Sequence, residues 1–145
     1  MAIIIDGKAL AKKTRENLKL ECDELKKNGI IPKLAVIMVG NNPASKVYVK
    51  NKSRVCNEVG IEYQEYLLDE DIKQSELLEL IKKLNEDNTV NGILLQSPIP
   101  EHLNINEAFK TITYLKDVDG FTPSSVGKLC IGEDTFVSCT PLRCH

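Results

Sequence analysis

A serine, a tyrosine and a lysine share one face of a helix predicted to start at Pro43. Asn42 is a good N-cap, and Pro43 suits the first helical position, where its missing N–H costs nothing. At about 3.6 residues per turn, Ser45, Tyr48 and Lys52 fall on the stripe that the later apolar residues use for the core. An inward lysine is rare and costly unless something there needs it. Lys52 is therefore the first candidate functional residue.

Two predicted strands place other polar groups near that helix. Residues 33–39 and 92–96 are apolar without alternation, which is typical of parallel strands covered on both faces. The first strand leads into the helix, and the second leaves Gln96 at the rim, followed by residues 98–100. Ligands of open α/β sheets bind beyond the carboxyl ends of the strands, so these groups should meet at one edge. The loop of residues 116–121 is short enough to return there.

The remaining predicted elements also alternate between helix and strand. Asp6 caps a helix predicted from Lys8 to Lys27, and Gly29 ends it. Its predicted inner face consists of Leu10, Thr14, Leu18, Cys22 and Leu25. A strand is predicted over Glu62–Leu68, and an amphipathic helix carries the apolar residues from Leu77 to Leu84.

The C-terminal third is predicted to be less regular. Asn104 to Glu107 resembles a capping box for a short helix running to about Thr113. Residues 114–126 have loop composition, and residues 127–137 are predicted to form a hairpin around Gly132-Glu133-Asp134. Residues 3–5 are predicted as a strand or an extended arm. The whole indicates an α/β fold, a three-layer α/β/α sandwich on a mostly parallel sheet, in a single domain over 1–145.

Composition narrows the functional classes. The 145 residues carry a net charge of -2 with basic and acidic residues intermixed, which argues against a nucleic-acid partner. No apolar run is long enough to cross a membrane, and the start at Met1 does not read as a secretory signal, so we expect a cytoplasmic protein without a membrane partner. The five cysteines lack zinc-site spacing, and Cys139, Cys144 and His145 form only a weak cluster. We expect no metal site.

Because the sequence lacks the common catalytic and phosphate-binding motifs, a lysine is its best candidate for a general base. The sequence has no G-x-G-x-x-G, no P-loop and no G-x-S-x-G, and His102 and His145 are its only histidines. A lysine in an apolar pocket loses its proton more easily, because desolvation disfavours the charged form. Simpler interpretations stay open: the lysine stem could cover apolar surface with its amine in water, and the tyrosine could be a half-buried aromatic.

The remaining candidates also have simple interpretations. Gln96 could cap a strand end, and Asp117 and Asp119 could be ordinary turn residues.

Several ordered motifs resemble the bifunctional methylenetetrahydrofolate dehydrogenase/methenyltetrahydrofolate cyclohydrolase family, called FolD in bacteria. They are Ile5-Asp6-Gly7-Lys8; Gly40 to Ser45 with Tyr48, Val49 and Lys52; Gly60-Ile61; Gly92 to His102; Lys116 to Phe121 with Pro123; and, imperfectly, Ser138-Cys139-Thr140-Pro141. These motifs cover nearly the whole chain.

The resemblance implies a role for each candidate. It makes Lys52 the catalytic residue for hydrolysis, held in place by Gln96, with Tyr48 against the folate ring system and Asp119 bonded to the pterin edge. These four are the expected catalytic set. The expected substrate-binding set comprises Ser45, Tyr48, Lys52, Leu95, Gln96, Ser97, Pro98 and Asp119.

The residue types agree with that chemistry. A neutral amine can help deliver water to the cationic carbon of methenyltetrahydrofolate, whereas an ammonium would be repelled. A carboxylate pairs well with the adjacent N–H donors of a pterin edge.

The resemblance also implies the reaction and its partners. The parent family oxidises 5,10-methylenetetrahydrofolate with NADP or NAD and hydrolyses the methenyl product to 10-formyltetrahydrofolate, as part of one-carbon metabolism and purine biosynthesis. Family members are usually homodimers and bind the dinucleotide in a second, Rossmann domain. This chain ends where that domain would begin, so we expect no cofactor site in it and no dehydrogenase step by it alone.

Departures and rival hypotheses accompany the resemblance. Ser97 stands where the family usually has leucine, and Ser138 and Arg143 replace a usual proline and glycine, so the terminal Arg143-Cys144-His145 need not be native sequence. One alternative is a non-catalytic folate-binding or dimerisation module. Another is the substrate domain of a different α/β dehydrogenase, which would offer no reason for the set of Tyr48, Lys52, Gln96 and Asp119.

Overall fold

The structure is a computed structural model that describes residues 6–138. Its elements are α1 (Gly7–Lys27), β1 (Lys33–Val39), α2 (Pro43–Val59), β2 (Glu62–Leu68), α3 (Gln74–Glu86), β3 (Gly92–Leu95), α4 (Ile105–Thr111), a 3-10 turn (Tyr114–Lys116) and α5 (Pro123–Ile131). The arm predicted at residues 3–5 and the cluster of Cys139, Cys144 and His145 lie outside the described residues.

The sheet is parallel, as predicted. Its strand order is β2-β1-β3, with Lys33 opposite Glu62 and Leu34 opposite Gly92. An isolated parallel bridge between Ile93 and Asp117 extends the sheet beyond β3. The carboxyl ends of β1 and β3 therefore lie side by side, and the chain after each of them starts at the same edge.

Alternate residues of β1 face opposite layers. Ala35, Ile37 and Val39 pack against Leu77 and Ile81 of α3, together with residues of α4. Val36 and Met38 face the other way and pack with Val49 of α2 and Leu94 of β3. Because both faces are covered by helices, β1 shows no alternation in its sequence. The three-layer α/β arrangement predicted from the sequence is confirmed.

Side-chain caps start α1 and α2 where the sequence predicts them. Asp6 Oδ1 accepts hydrogen bonds from the N–H groups of Lys8 and Ala9, both at 3.0 Å. Asn42 Oδ1 accepts from Ala44 and Ser45 at 3.0 and 3.1 Å. Each bond satisfies an N–H group that the first helical turn leaves without a partner.

The predicted inner face of α1 is wrong. Only Cys22 of that face is buried, whereas Leu10 is 64% exposed and Leu18 and Leu25 are each 38% exposed. The helix packs against α2, with Cys22 buried and Arg15 Nε 3.1 Å from Glu58 Oε1. Apolar spacing therefore indicated a helix correctly but assigned the wrong face to the core.

The hairpin predicted over residues 127–137 is also wrong, because most of its first half belongs to α5. The side chain of Thr122 caps this helix by accepting from Ser125 N–H, Pro123 takes its first turn, and Gly132 ends it in the left-handed region at φ 78. The loop predicted over residues 114–126 is confirmed for residues 117–122 only. No helix within residues 6–138 is long and apolar enough to cross a bilayer.

Candidate active site

Lys52 and Gln96 meet at the carboxyl edge of the sheet. The Lys52 ammonium donates a 3.1 Å hydrogen bond to Gln96 Oε1. Lys52 lies in the third turn of α2, partly buried, and Gln96 follows β3 directly. The Gln96 N–H still bonds to the carbonyl of Ile37 at 2.8 Å, so the sheet holds the glutamine backbone. The contact thus joins a helix and a strand that are 44 residues apart.

The carbonyl of Ser97 orients the Gln96 amide. Gln96 Nε2 donates to this oxygen at 2.8 Å, and the hydroxyl of Ser45 reaches the same oxygen at 3.5 Å. Because the NH₂ end of the amide is engaged there, its oxygen is left to face Lys52. Ser45 itself is 1% exposed, so its hydroxyl is closed to water, whereas Ser97 is exposed.

Tyr48 lies one helical turn before Lys52 but does not face the core. Its side chain is 61% exposed, which corrects the prediction that it shares the inward stripe. The face of α2 turned to the protein instead carries Ser45, Val49, Cys56 and Val59, so Tyr48 lies at the border of that face. Its ring offers a flat apolar surface to solvent beside the lysine.

Leu95 also departs from the site expectation. The residue is 2% exposed and packs in the core cluster with α3 and α4. Alternation along β3 turns its side chain away from the α2 face of the sheet. Ser97 and Pro98 are exposed at the edge.

Asp119 is a partly buried carboxyl near Lys52. Burial raises its pKa above the ordinary value, the positive charge of Lys52 lowers it by a smaller amount, and the negative charge of Asp117 raises it further. Within residues 6–138, no hydrogen bond involves its side chain. The group therefore presents its oxygens for a donor that the described part of the protein does not provide.

Asp117, two residues earlier, is bonded on every side. It is 3% exposed, and its oxygens accept from the N–H groups of Gly120 at 2.9 Å and Thr122 at 2.8 Å and from the Ser125 hydroxyl at 2.7 Å. The N–H of Phe121 adds a longer bond at 3.3 Å. Burial opposes ionisation most strongly, but these hydrogen bonds together leave the pKa of Asp117 below its ordinary value.

Lys116 attaches the start of this loop to the end of α3. Its ammonium donates to the carbonyls of Leu84 and Asn85, each at 2.8 Å, and of Asp87 at 2.7 Å. A cation at carbonyls that the last turn of a helix leaves free is a favourable C-terminal interaction. The loop that carries Asp119 is therefore held at both ends.

Thr122 and Ser125 have structural roles that the sequence interpretation missed. Both are buried, and the Thr122 hydroxyl donates to Ser125 Oγ at 3.0 Å. A signal was present: Thr122-Pro123 repeats the polar cap and first-turn proline of Asn42-Pro43.

A cavity of about 340 Å³ adjoins the site where β1 ends. Its lining comprises Val39, Gly40, Asn41, Asn42, Glu70 and the segment from Pro98 to Pro100. Among residues 6–138, no three His, Cys, Asp or Glu side chains come together as metal ligands would.

The chain is similar to known proteins along almost its whole length. A family model described as tetrahydrofolate dehydrogenase/cyclohydrolase, catalytic domain, matches residues 5–119. The bifunctional protein FolD of Acetivibrio thermocellus is 52% identical over 140 residues, which is 97% of this chain and 49% of that protein. FolD of Halalkalibacterium halodurans is 50% identical over 97% of this chain and 50% of its own length. The chain spans about half the length of the curated relatives it matches.

Solved structures agree with the sequence relatives. The bifunctional enzyme FolD from Campylobacter jejuni superposes with a TM-score of 0.93 at 50% identity, covering 94% of this chain and 49% of that one. The methylenetetrahydrofolate dehydrogenase-cyclohydrolase of Trypanosoma brucei, solved with NADP cofactor and an inhibitor, gives 0.90 at 31% identity, covering 99% and 52%.

Proposed function

The chain belongs to the tetrahydrofolate dehydrogenase/cyclohydrolase family, and on that premise we propose that residues 1–145 form one folate-binding domain that hydrolyses 5,10-methenyltetrahydrofolate to 10-formyltetrahydrofolate. The observation that carries the proposal is the 3.1 Å contact between Lys52 Nζ and Gln96 Oε1 at the carboxyl edge of the sheet. Tyr48 and Asp119 flank that contact and complete the set that the ligand would meet.

The reaction needs one water and one base. Water oxygen bonds to the electron-poor carbon between the two nitrogens, and the proton that it loses passes to Lys52 Nζ, which must first release a proton of its own. The bond from that carbon to N5 then breaks, N5 takes the hydroxyl proton, and one proton is released overall. Gln96 keeps the amine in one direction, because its own NH₂ end is bound to the carbonyl of Ser97 at 2.8 Å.

Recognition of the substrate falls to the two flanking residues. The exposed ring of Tyr48 suits a planar heterocycle, and the Asp119 carboxylate suits adjacent N–H donors at a pterin edge. Asp119 is partly buried and has no hydrogen-bond donor within residues 6–138, so an incoming donor would satisfy it.

A nicotinamide dinucleotide does not fit the described residues. The turn from β1 to α2 contains the single glycine Gly40, and a Cβ at that position would lie 3.5 Å from the side chain of Glu70. A pyrophosphate there would face a carboxylate, which repels it. We propose that oxidation of 5,10-methylenetetrahydrofolate with NADP is an activity of a longer protein in which other residues hold the dinucleotide. The cytoplasmic location and the homodimer are proposed from the resemblance to the family alone.

Two measurements on the 145-residue chain test the proposal. Calorimetry with tetrahydrofolate should detect binding, and the absorbance of methenyltetrahydrofolate at neutral pH should fall faster than in buffer. Lys52→Met should remove that excess rate and leave the fold unchanged. Hydrolysis by Lys52→Met at the wild-type rate would refute the role of the lysine. Binding without turnover would favour a non-catalytic folate-binding module, and absence of binding would refute both.

A further inference from the structure

The buried carboxylate of Asp117 forms the centre of the turn that carries Asp119. Three successive N–H groups, from Gly120 to Thr122, point at its two oxygens at 2.8 to 3.3 Å. Such an arrangement forces the backbone to curl around the carboxylate, and Asp119 lies on the outside of that curl. Gly120 permits the turn, because its φ is 72 and a Cβ there would collide with the carbonyl oxygen of Phe136.

Both ends of the turn are attached to regular structure. On the near side, Asp117 makes the bridge to Ile93 of β3, and Lys116 donates to the last carbonyls of α3. On the far side, the Ser125 hydroxyl ties the first turn of α5 to Asp117 at 2.7 Å. Asp117 therefore joins β3 through its backbone and the turn and α5 through its carboxylate, which uses all its acceptor capacity within the protein.

We propose that Asp117 is a positioning residue of the folate site: its buried carboxylate shapes residues 117–122 so that the Asp119 carboxylate stays in place near Lys52. The identity of the ligand rests on the proposed function, whereas the geometry does not. Asp117 has no oxygen left over for a ligand, whereas Asp119 lacks a hydrogen-bond donor within residues 6–138. One aspartate builds the turn and the other meets the substrate.

The charge environment of Asp119 gives this proposal a signature that a general loss of stability would not produce. Burial raises the pKa of Asp119, and the charged groups that act on it are Lys52 of α2, which lowers it, and Asp117 of its own turn, which raises it. If the turn loosens, Asp119 becomes hydrated and its pKa falls towards the ordinary value.

The experiment is a pH titration of the 145-residue chain by ¹³C NMR of the aspartate carboxyls, with the Asp119 signal assigned through Asp119→Asn. Asp117→Asn removes the charge and two acceptor contacts, and Ser125→Ala removes one hydrogen bond to Asp117, and the bond from Thr122, while keeping the charge. Both variants should move the Asp119 midpoint to lower pH, with the larger shift in Asp117→Asn. The control Asp6→Asn alters an aspartate that also accepts two backbone hydrogen bonds, but at the start of α1, and it should leave the midpoint unchanged.

Ligand binding then connects the geometry to function. Tetrahydrofolate should bind Ser125→Ala about tenfold more weakly than wild type, the equivalent of one lost hydrogen bond, and should bind Asp6→Asn normally. An Asp119 midpoint that stays in place in Ser125→Ala would overturn the proposal, even if Asp117→Asn fails to fold. If the variants shift the Asp119 midpoint but the wild-type chain binds no tetrahydrofolate, the proposed function is refuted and the positioning role stays intact.

Discussion

Lys52 and Asp119 reach the same edge of the sheet by two different constructions. Lys52 stands on a regular helix that apolar packing holds against β1 and β3, and within residues 6–138 its side chain makes one hydrogen bond, to Gln96. Asp119 stands on a six-residue turn, in which Val118 packs against the apolar cluster of β1, α2 and β3 and Phe121 lies against Phe109. That turn is held by the oxygens of Asp117 and the ammonium of Lys116.

The comparison separates two kinds of dependence on sequence. On the helix, the position of the functional side chain follows from spacing, so a change at Lys52 affects chemistry and leaves the support intact. On the turn, polar groups supply much of the support, so a change at Asp117 or Lys116 alters the shape that presents Asp119. Hydrogen bonds to charged groups contribute more than neutral ones, and leaving a buried partner unsatisfied is costly.

Lys52→Arg should give the largest effect of any single change. A guanidinium stays protonated at all accessible pH values, so it cannot take the proton from water. General base catalysis contributes roughly 10² to 10⁴ in rate, and hydrolysis of methenyltetrahydrofolate should fall by about that factor. The measurement is the initial rate of absorbance loss in the 145-residue chain, with thermal unfolding as the check on the fold.

The matched control is Lys50→Arg, two residues earlier on the exposed side of α2. Its rate should equal that of wild type. Equal losses in Lys50→Arg and Lys52→Arg would mean that the effect does not depend on the position of the amine, and would refute Lys52 as the base.

Lys116→Met should have the next largest effect, on stability. The variant keeps the aliphatic stem and deletes three charge-assisted hydrogen bonds to the end of α3. We expect the free energy of unfolding in urea to fall by about 2–3 kcal/mol. Lys110→Met, on the exposed side of α4, is the control and should change it by less than about 0.5 kcal/mol. A Lys116→Met protein as stable as wild type would show that the turn does not depend on its polar anchors.

The same contrast explains which parts of the molecule could be predicted. Elements that local rules determine were recognised: caps at Asp6 and Asn42, the two-sided burial of β1, and the return of α2 and β3 to one edge. The contact of Lys52 with Gln96 follows from that topology, because parallel strands end at one edge of a sheet.

Features that depend on distant packing could not be predicted in this way. Most of the predicted apolar face of α1 is exposed and only Cys22 of it is buried, because the packing of α1 depends on the position of α2, which local spacing does not reveal. The turn around Asp117 is determined by a carboxylate that bonds three and more residues ahead, so the aspartate reads as an ordinary turn residue. Residues 123–131 were misassigned because loop composition and the turn residues Gly132-Glu133-Asp134 outweighed the cap signal of Thr122-Pro123.

Asn42→Ala tests the helical construction at its first turn. The side chain accepts from two N–H groups of α2, and losing an N-cap of this type costs about 1 kcal/mol. Urea unfolding should show a decrease of that size, and tetrahydrofolate binding should be unchanged, since packing still holds Lys52. Asn41→Ala, at the exposed neighbour without a capping role, is the control. If binding weakened in step with stability, the helical construction would be as dependent on polar anchors as the turn.

The smallest expected effect is the pH dependence of stability, in which the two aspartates of the turn act in opposite directions. The pKa of Asp117 is lowered from 3.8, so its contribution is present above that value and is lost as the pH falls through the folded pKa. The pKa of Asp119 is raised from 3.8, so its ionisation destabilises the folded state at higher pH, and that cost is relieved as the pH falls towards 3.8.

The two aspartates affect the free energy of unfolding in adjacent pH ranges, below and above 3.8, so single variants can separate their effects. Urea unfolding of Asp119→Asn should lose the gain in stability that wild type shows on approaching 3.8 from neutral pH, and should keep the acid loss below it. Asp117→Asn should lose the acid loss of stability below 3.8 and keep only part of the gain above it, because this variant also lowers the pKa of Asp119. Identical pH profiles for the two variants would mean that the residues do not differ in their coupling to folding. The division between a shape-forming and a ligand-facing aspartate would then fail.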